Sequence, residues 1–331
     1  DFNKIDLLKA IFKEFFFGFW IVLKVSLRTR VNLFPISLQI IHGYLSFKSF
    51  FETNEAEYTI QERHYNTDSI KNYLFKKSGG VSSTTIQKNI AEADLMFAYM
   101  DIDVLFSLGS SGFQRFLDFG GRINKIQPVG SLFMEHYWFK KPIKLDQKFD
   151  ILFLGINVTN GVDRIDKYDG WADDYYSSFK WLVKIKNYNP KLRIAIKHHA
   201  SAGIEDPIEL SILKNSGIII SDKNLNSYQL SFSSKCVITY GSTMGYELSA
   251  HGITSLFFDP GYRCAFLPEK EIDNLDLLRI TSYEKFKESI NQIFSSKDFD
   301  DITLENKLEL CLESSHTSNN IFNYFQDKNT N

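Results

Sequence analysis

The sequence predicts an α/β protein of two domains, each a parallel sheet with helices on its faces. Three observations carry that expectation. Short apolar runs alternate with helix-length segments along most of the chain. Several of these runs end in glycine, as in Asp103–Gly109 and Phe149–Gly155. The alternation restarts after residues 140–148, which hold four lysines and a proline and read as a linker. The 331 residues suffice for two domains of ordinary size, placed at 1–145 and 146–331. The last helix is a candidate to return to the first domain.

In chain order, residues 1–50 read as mainly helix with a break at Pro35. Thr59–Gln61 is a short strand leading into the polar stretch 62–68. Asp68 caps a helix over Ser69–Lys77, which Gly79 and Gly80 stop. Ser83–Gln87, Asp103–Gly109 and Lys125–Ser131 read as strands, with a helix over Gln114–Phe119. In the second half, strands fall at Phe149–Gly155, Leu192–Lys197, Ile218–Ser221, Cys236–Tyr240 and Thr254–Asp259. Helices fall at Tyr175–Asn187, Glu209–Lys214, Ser227–Ser233 and Met244–His251, and two more close the chain at 281–295 and 303–326.

Bulk properties exclude several classes. A formal net charge of −2 gives no basic field for a nucleic-acid backbone. Cys236, Cys264 and Cys311 are odd in number and far apart, so neither a disulfide framework nor a zinc site is expected, and a reducing cytoplasm fits. The apolar run Phe15–Leu23 is nine residues, too short to span a membrane at about 20 residues. It reads first as a buried helix. The sharper reading is an interfacial helix across 11–30, with Lys24, Arg28 and Arg30 near lipid phosphates.

The residues that point to chemistry cluster at strand ends. Strand Cys236–Tyr240 runs into Gly241-Ser242-Thr243 and then a helix carrying Glu247. Such a turn offers helix N–H groups and two hydroxyls to an anion, and Glu247 could accept hydrogen bonds from ribose or sugar hydroxyls. Equally, Ser242 or Thr243 could simply cap the helix. Strand 192–197 delivers Lys197, His198 and His199 to its carboxyl end, the edge where open α/β sheets bind ligands. Adjacent strand residues point to opposite faces, so one histidine is expected to face a ligand and the other to pack. Glu62 and His64 at the end of the first strand are candidates for a general base, or for a solvated loop with one surface ion pair. Asp163, Asp166, Asp169, Asp173 and Asp174 read as a solvated acidic loop, since their spacing is not that of a calcium loop. Gly109-Ser110-Ser111-Gly112 resembles a phosphate loop in composition only. No dinucleotide fingerprint, Walker A loop or Gly-x-Ser-x-Gly elbow is present.

The order of these pieces resembles the GT-B glycosyltransferases of bacterial capsule and lipopolysaccharide assembly and the related polyol-phosphate transferases. The resemblance rests on Lys197-His198-His199, on Asn226-Ser227-Tyr228-Gln229-Leu230, and on Gly241–Glu247 followed by Ala250–Asp259. Thr254 and Ala200 stand where that family has proline. The resemblance implies two Rossmann-like domains facing a central cleft. The first would hold a glycan or lipid-linked glycan acceptor and the second a CMP- or UDP-linked sugar. It implies no cofactor and no metal in the chemistry. Gly241, Ser242 and Thr243 would bind the donor phosphate, with Lys197, His198 and Tyr228 beside it. His199 and Lys197 would neutralise the leaving nucleotide, Glu247 would bind ribose or sugar hydroxyls, and Glu62 or His64 would serve as base. A cytoplasmic enzyme at the inner face of the membrane is expected. A nucleotide-sugar epimerase of the same architecture, and a non-catalytic carbohydrate-binding or assembly protein, are the competing readings.

Overall fold

The computed structural model describes residue 12 and residues 16–63, 67–88, 100–118, 120–139, 149–155, 171–198, 206–222, 224–240, 242–262, 278–295, 311–312 and 315–329. Two compact units emerge. The first comprises 1–86, 95–105 and 119–126, and the second 87–94, 106–118 and 127–331.

The first unit opens with two helices, α1 (Phe16–Thr29) and α2 (Phe34–Thr53). The break between them falls just before Pro35, which occupies the first turn of α2 where its missing N–H costs nothing. Contrary to the first reading of Phe15–Leu23, α1 is not a buried helix: none of its described side chains is buried. The sheet begins with β1 (Tyr58–Gln61), α3 (Ser69–Lys77) and β2 (Ser82–Ile86), a βαβ unit whose strands pair in parallel from Tyr58↔Ser82 to Gln61↔Thr85. Asp68 caps α3 by accepting from the Ile70 and Lys71 N–H groups at 2.9 and 3.1 Å. β3 (Asp101–Ser107) and β4 (Arg122–Pro128) complete the order β1-β2-β3-β4, with α4 (Gln114–Asp118) between them. Leu74 and Phe75 of α3 pack on Tyr44 and Phe51 of α2.

Asp103 ties this sheet together. Its carboxylate accepts from the Ser83 N–H at 2.7 Å, the Ser83 hydroxyl at 2.9 Å and Asn124 at 3.1 Å, and pairs with Lys76 at 2.8 Å. Burial pushes the Asp103 carboxyl up, but the bonds from Lys76 and Ser83 outweigh it and hold the group below the usual aspartate range.

The second unit holds α5 (Leu132–Phe139), β5 (Phe149–Leu154), α6 (Trp171–Tyr188), β6 (Ile194–Lys197), α7 (Pro207–Leu213), β7 (Ile219–Ile220), α8 (Ser227–Phe232), β8 (Ser234–Thr239), α9 (Met244–Ser249), β9 (Thr254–Phe258), β10 (Arg279–Ile280), α10 (Tyr283–Ser295) and α11 (Thr317–Asn329). Its six strands run β10-β9-β8-β5-β6-β7, every pairing parallel. That is the doubly wound order, which reverses direction on either side of β5. Alternation in β5 shows why both faces need helices. Ile151 and Phe153 enter one core with Phe179 and Leu182 of α6 and Phe286 of α10. Leu152 and Leu154 enter another with Met134 of α5, Leu230 of α8 and Leu248 of α9.

Three elements differ from the sequence reading. α5 was not anticipated. α6 begins at Trp171, so Asp173 and Asp174 lie in its first turn, where the helix dipole favours carboxylates, rather than in an acidic loop. α11 begins at Thr317, far later than the expected 303; the Glu135 carboxylate of α5 accepts from the Ser318 N–H at 2.9 Å and its hydroxyl at 3.1 Å and fixes that start. Residues 303–310, the linker 140–148 and Asp163, Asp166 and Asp169 lie outside the described residues.

Asp103→Asn is expected to destabilise the protein by about 1–3 kcal/mol at neutral pH, the cost of leaving Lys76 and Ser83 without their charged acceptor. The folded Asp103 is depressed, so its contribution is lost as pH falls. Urea melts of both proteins should therefore converge in acid.

Candidate functional site

The reversal of strand order at β5 opens a crevice beyond the carboxyl ends of β5 and β8, the place where sheets of this type take ligands. Register fixes what stands there. Leu154 at the end of β5 pairs with Lys197 on β6 and with Thr239 on β8. Lys197-His198 and Tyr240–Ser242 thus leave the sheet on one edge and at one level, about 10 Å apart across two strand spacings. The sequence-predicted strand tips are brought together. His199 and Gly241 themselves lie outside the described residues.

Side chains on that edge are partly engaged by the protein. The Lys197 ammonium is buried and donates to the Asp222 carbonyl at 3.3 Å, at the end of β7. Burial lowers its pKa, with Asp222 opposing. His198 contacts the buried Glu209 carboxylate of α7 through Nε2. His198 is therefore held by the fold.

At the tip of β8, the Ser242 hydroxyl accepts from the Met244 N–H at 3.3 Å, and the Gly245 N–H reaches the Ser242 carbonyl at 3.4 Å. These long bonds engage the Met244 and Gly245 N–H groups in the manner of the capping alternative, with Ser242 as the acceptor. Gly245 explains how α9 sits so low on the sheet. A Cβ there would come within 2.7 Å of the Phe257 ring and 3.2 Å of Thr239 Oγ1. Gly252, at φ +80, ends the helix and turns the chain into β9.

Glu247 is the buried centre of this region. Its two oxygens accept from the Ser131 hydroxyl at 2.7 Å and the Tyr228 hydroxyl at 2.6 Å. Burial pushes its carboxyl up, and the bonds from Tyr228 and Ser131 with the charge of Lys88 offset only part of that. Tyr228 is raised well above its usual range by burial and then by Glu247. Its ring stacks on Tyr137 of α5, centroids 4.9 Å apart at 18°. Ser131 serves twice, since its oxygen also accepts from the Met134 N–H at 3.2 Å to start α5. Sequence reasoning singled out Glu247 and Tyr228 but missed Ser131 and Tyr137. The serine ahead of an apolar octet was the legible signal for a capped helix.

Other sequence candidates fall elsewhere. Glu62, in the first unit, is exposed and pairs with Arg63 at 3.2 Å; His64 lies outside the described residues. In the 109–112 turn, the Gln87 side chain donates to the Gly112 carbonyl at 3.1 Å and accepts from the Leu108 N–H at 3.0 Å, which fixes the turn from within. Asp259, the end of the resembling run, forms a buried pair with Arg279 at 2.9 Å that joins β9 to β10. Cys236 and Cys311 are buried, and burial pushes the Cys236 thiol up to about 12. Among the described residues no group of three His, Cys, Asp or Glu is placed to hold a metal ion.

No family model matches the chain, and no curated protein matches it in sequence. Solved structures do match. A UDP-N-acetylglucosamine 2-epimerase from Listeria monocytogenes is similar over 86% of this chain and 78% of its own, at 11% identity and a TM-score of 0.59. The UDP-GlcNAc 2-epimerase from Neisseria meningitidis, solved bound to UDP-GlcNAc, is similar over 88% and 82%, at 10% identity and 0.57. The glycosyltransferase of kitacinnamycin is similar over 86% and 79%, at 11% identity and 0.50. The chain has the GT-B type of fold, built on Rossmann-like α/β units. At these identities the likeness establishes fold and not activity.

The raised Glu247 carboxyl holds its proton more tightly in the folded than in the unfolded chain. Stability is therefore expected to fall as pH rises from the ordinary glutamate range through the raised one. Glu247→Gln should remove that slope, read as melting temperature against pH for the two proteins.

Proposed function

We propose that this protein is a glycosyltransferase that moves a sugar from a nucleotide-activated donor, CMP- or UDP-linked, to a surface-glycan acceptor. The observation that carries the reading is the switch-point crevice of the second unit, with the basic tip of β6 and the hydroxyl-bearing tip of β8 on one edge at one level. A diphosphate or a phosphate gathering charge as it leaves suits that edge. Ser242 and Thr243 bind the donor phosphate. His199 is the group that neutralises the leaving nucleotide, because Glu209 already engages His198 and the Asp222 carbonyl draws on Lys197. Glu247 keeps spare lone pairs on both oxygens and, aligned by Ser131 and Tyr228, accepts from a ribose or sugar hydroxyl. Glu62 or His64 supplies the base. No metal enters this chemistry.

A second reading has a specific support. The similar Neisseria meningitidis structure is a UDP-GlcNAc 2-epimerase and holds UDP-GlcNAc. An epimerase releases and recaptures the nucleotide at such an edge without an acceptor.

Thermal-shift measurements with CMP, CDP, UDP, GDP and their sugar conjugates should show one nucleotide class raising the melting temperature by about 5–10 °C at about 100 times its Kd. The Ser242→Ala/Thr243→Ala double variant should lose most of that rise. A panel without any response would remove the nucleotide-sugar reading altogether.

His199→Ala should lower turnover by about 10²- to 10³-fold, the scale for losing one charge-stabilising donor. Wild-type turnover in this variant would take His199 out of the mechanism. Incubation with UDP-GlcNAc alone separates the two enzymatic readings: epimer formed without acceptor favours the second.

A further inference from the structure

We propose that α1, with the start of α2, docks the protein on an anionic phospholipid bilayer, α1 lying in the plane of the interface. α1 exposes apolar surface to water. Phe16, Trp20, Leu23 and Leu27 recur on one face of α1 at i, i+4, i+7 and i+11. Phe16, Trp20 and Leu27 are 68%, 62% and 72% exposed, and Leu38 in the first turns of α2 is 67% exposed. An apolar stripe this open marks an interaction surface.

An adjoining side of α1 turns to α2. Phe12, Phe16, Gly18, Phe19 and Val22 line an apolar groove of about 250 Å³ with Ser37, Ile40 and Ile41 of α2, so Phe16 stands at the border of stripe and groove while Trp20, Leu23 and Leu27 lie outside it. Phe19 and Phe34 lie 5.4 Å apart, and the Ser26 hydroxyl accepts from the Leu33 N–H at 3.1 Å. α2 thus presents the stripe and does not cover it.

Charge names the occupant. Between Glu14 and Glu52 the chain carries Lys24, Arg28, Arg30 and Lys48 and no Asp or Glu; Lys48 pairs with Glu52 at 3.9 Å, which leaves Lys24, Arg28 and Arg30 as the cations of α1 and its end. Lys24, Arg28 and Arg30 are exposed. On the helix, Lys24 and Arg28 lie about 80° and 120° around from Phe16, on the flank of the stripe. This is an apolar face bordered by cations, the arrangement of an interfacial helix whose lysine and arginine heads stay at the phosphate level. A second copy seated stripe to stripe would bring Lys24, Arg28 and Arg30 against their own counterparts. Among the described residues no helix is long and apolar enough to cross a membrane.

The full chain should cosediment with phosphatidylcholine vesicles containing phosphatidylglycerol. It should bind pure phosphatidylcholine about tenfold or more weakly, and added salt should release it from the anionic vesicles. Trp20→Glu/Leu27→Glu, at exposed positions that leave the core untouched, should lower partitioning about a hundredfold. Lys24→Glu/Arg28→Glu should abolish the preference for anionic lipid. Brominated lipid should quench the bound protein's fluorescence, and Trp20→Phe should remove most of that quenching while keeping the binding. Absence of vesicle binding, or binding that Trp20→Glu/Leu27→Glu leaves unchanged, overturns the proposal. So does a dimer in light scattering that the same variant dissociates, because the stripe then covers a second copy. None of these readouts depends on nucleotide binding or turnover.

Discussion

The central constraint on the second unit is the double pairing of β5. Phe149–Leu154 bonds in parallel to β6 on one edge and β8 on the other, and strand order reverses there. Parallel pairing forces each connection to cross over, so helices must cover both faces. It also sends every carboxyl end to one edge. The candidate site follows from this, because two segments 40 residues apart in the chain can only reach one level if both register against Leu154. A sheet wound in one direction would leave no crevice between β5 and β8.

Around that frame the buried polar groups act as ties. Glu247 joins the turn before α5 to α8 and α9 through two hydroxyls. Glu135 joins α5 to the start of α11. Asp259 and Arg279 lock the outer strand. A buried carboxylate is costly unless it is hydrogen-bonded, and these pairings give each one its partners. Ser131, Tyr228 and Glu247 consequently have one arrangement. α1 lies at the other extreme, an apolar element that the fold supports from one side only.

How much was legible in the residues varies with the kind of interaction. Local signals read well. Asp68 before α3, glycine at the strand ends and the short apolar run of β5 gave these elements to within a few residues, because caps and local hydrophobic runs are short-range effects. α5 was missed because Leu132–Phe139 has apolar residues around most of its circumference, broken only by Glu135 and His136, so no helical period shows. β10 was missed because two residues make no pattern. The late start of α11 depends on Glu135, 183 positions earlier.

The sequence by itself determined the class of the fold and the strand tips at Lys197-His198 and Ser242-Thr243, since these rest on hydrophobic period and on neighbouring residues. It did not determine which imidazole is held, what aligns Glu247, or whether Phe16–Leu27 is covered. Those were decided by tertiary contacts of Glu209, Ser131, Tyr137 and α2. Burial and distant pairing are properties of the folded chain, and nothing in a run of adjacent residues encodes which remote partner will arrive.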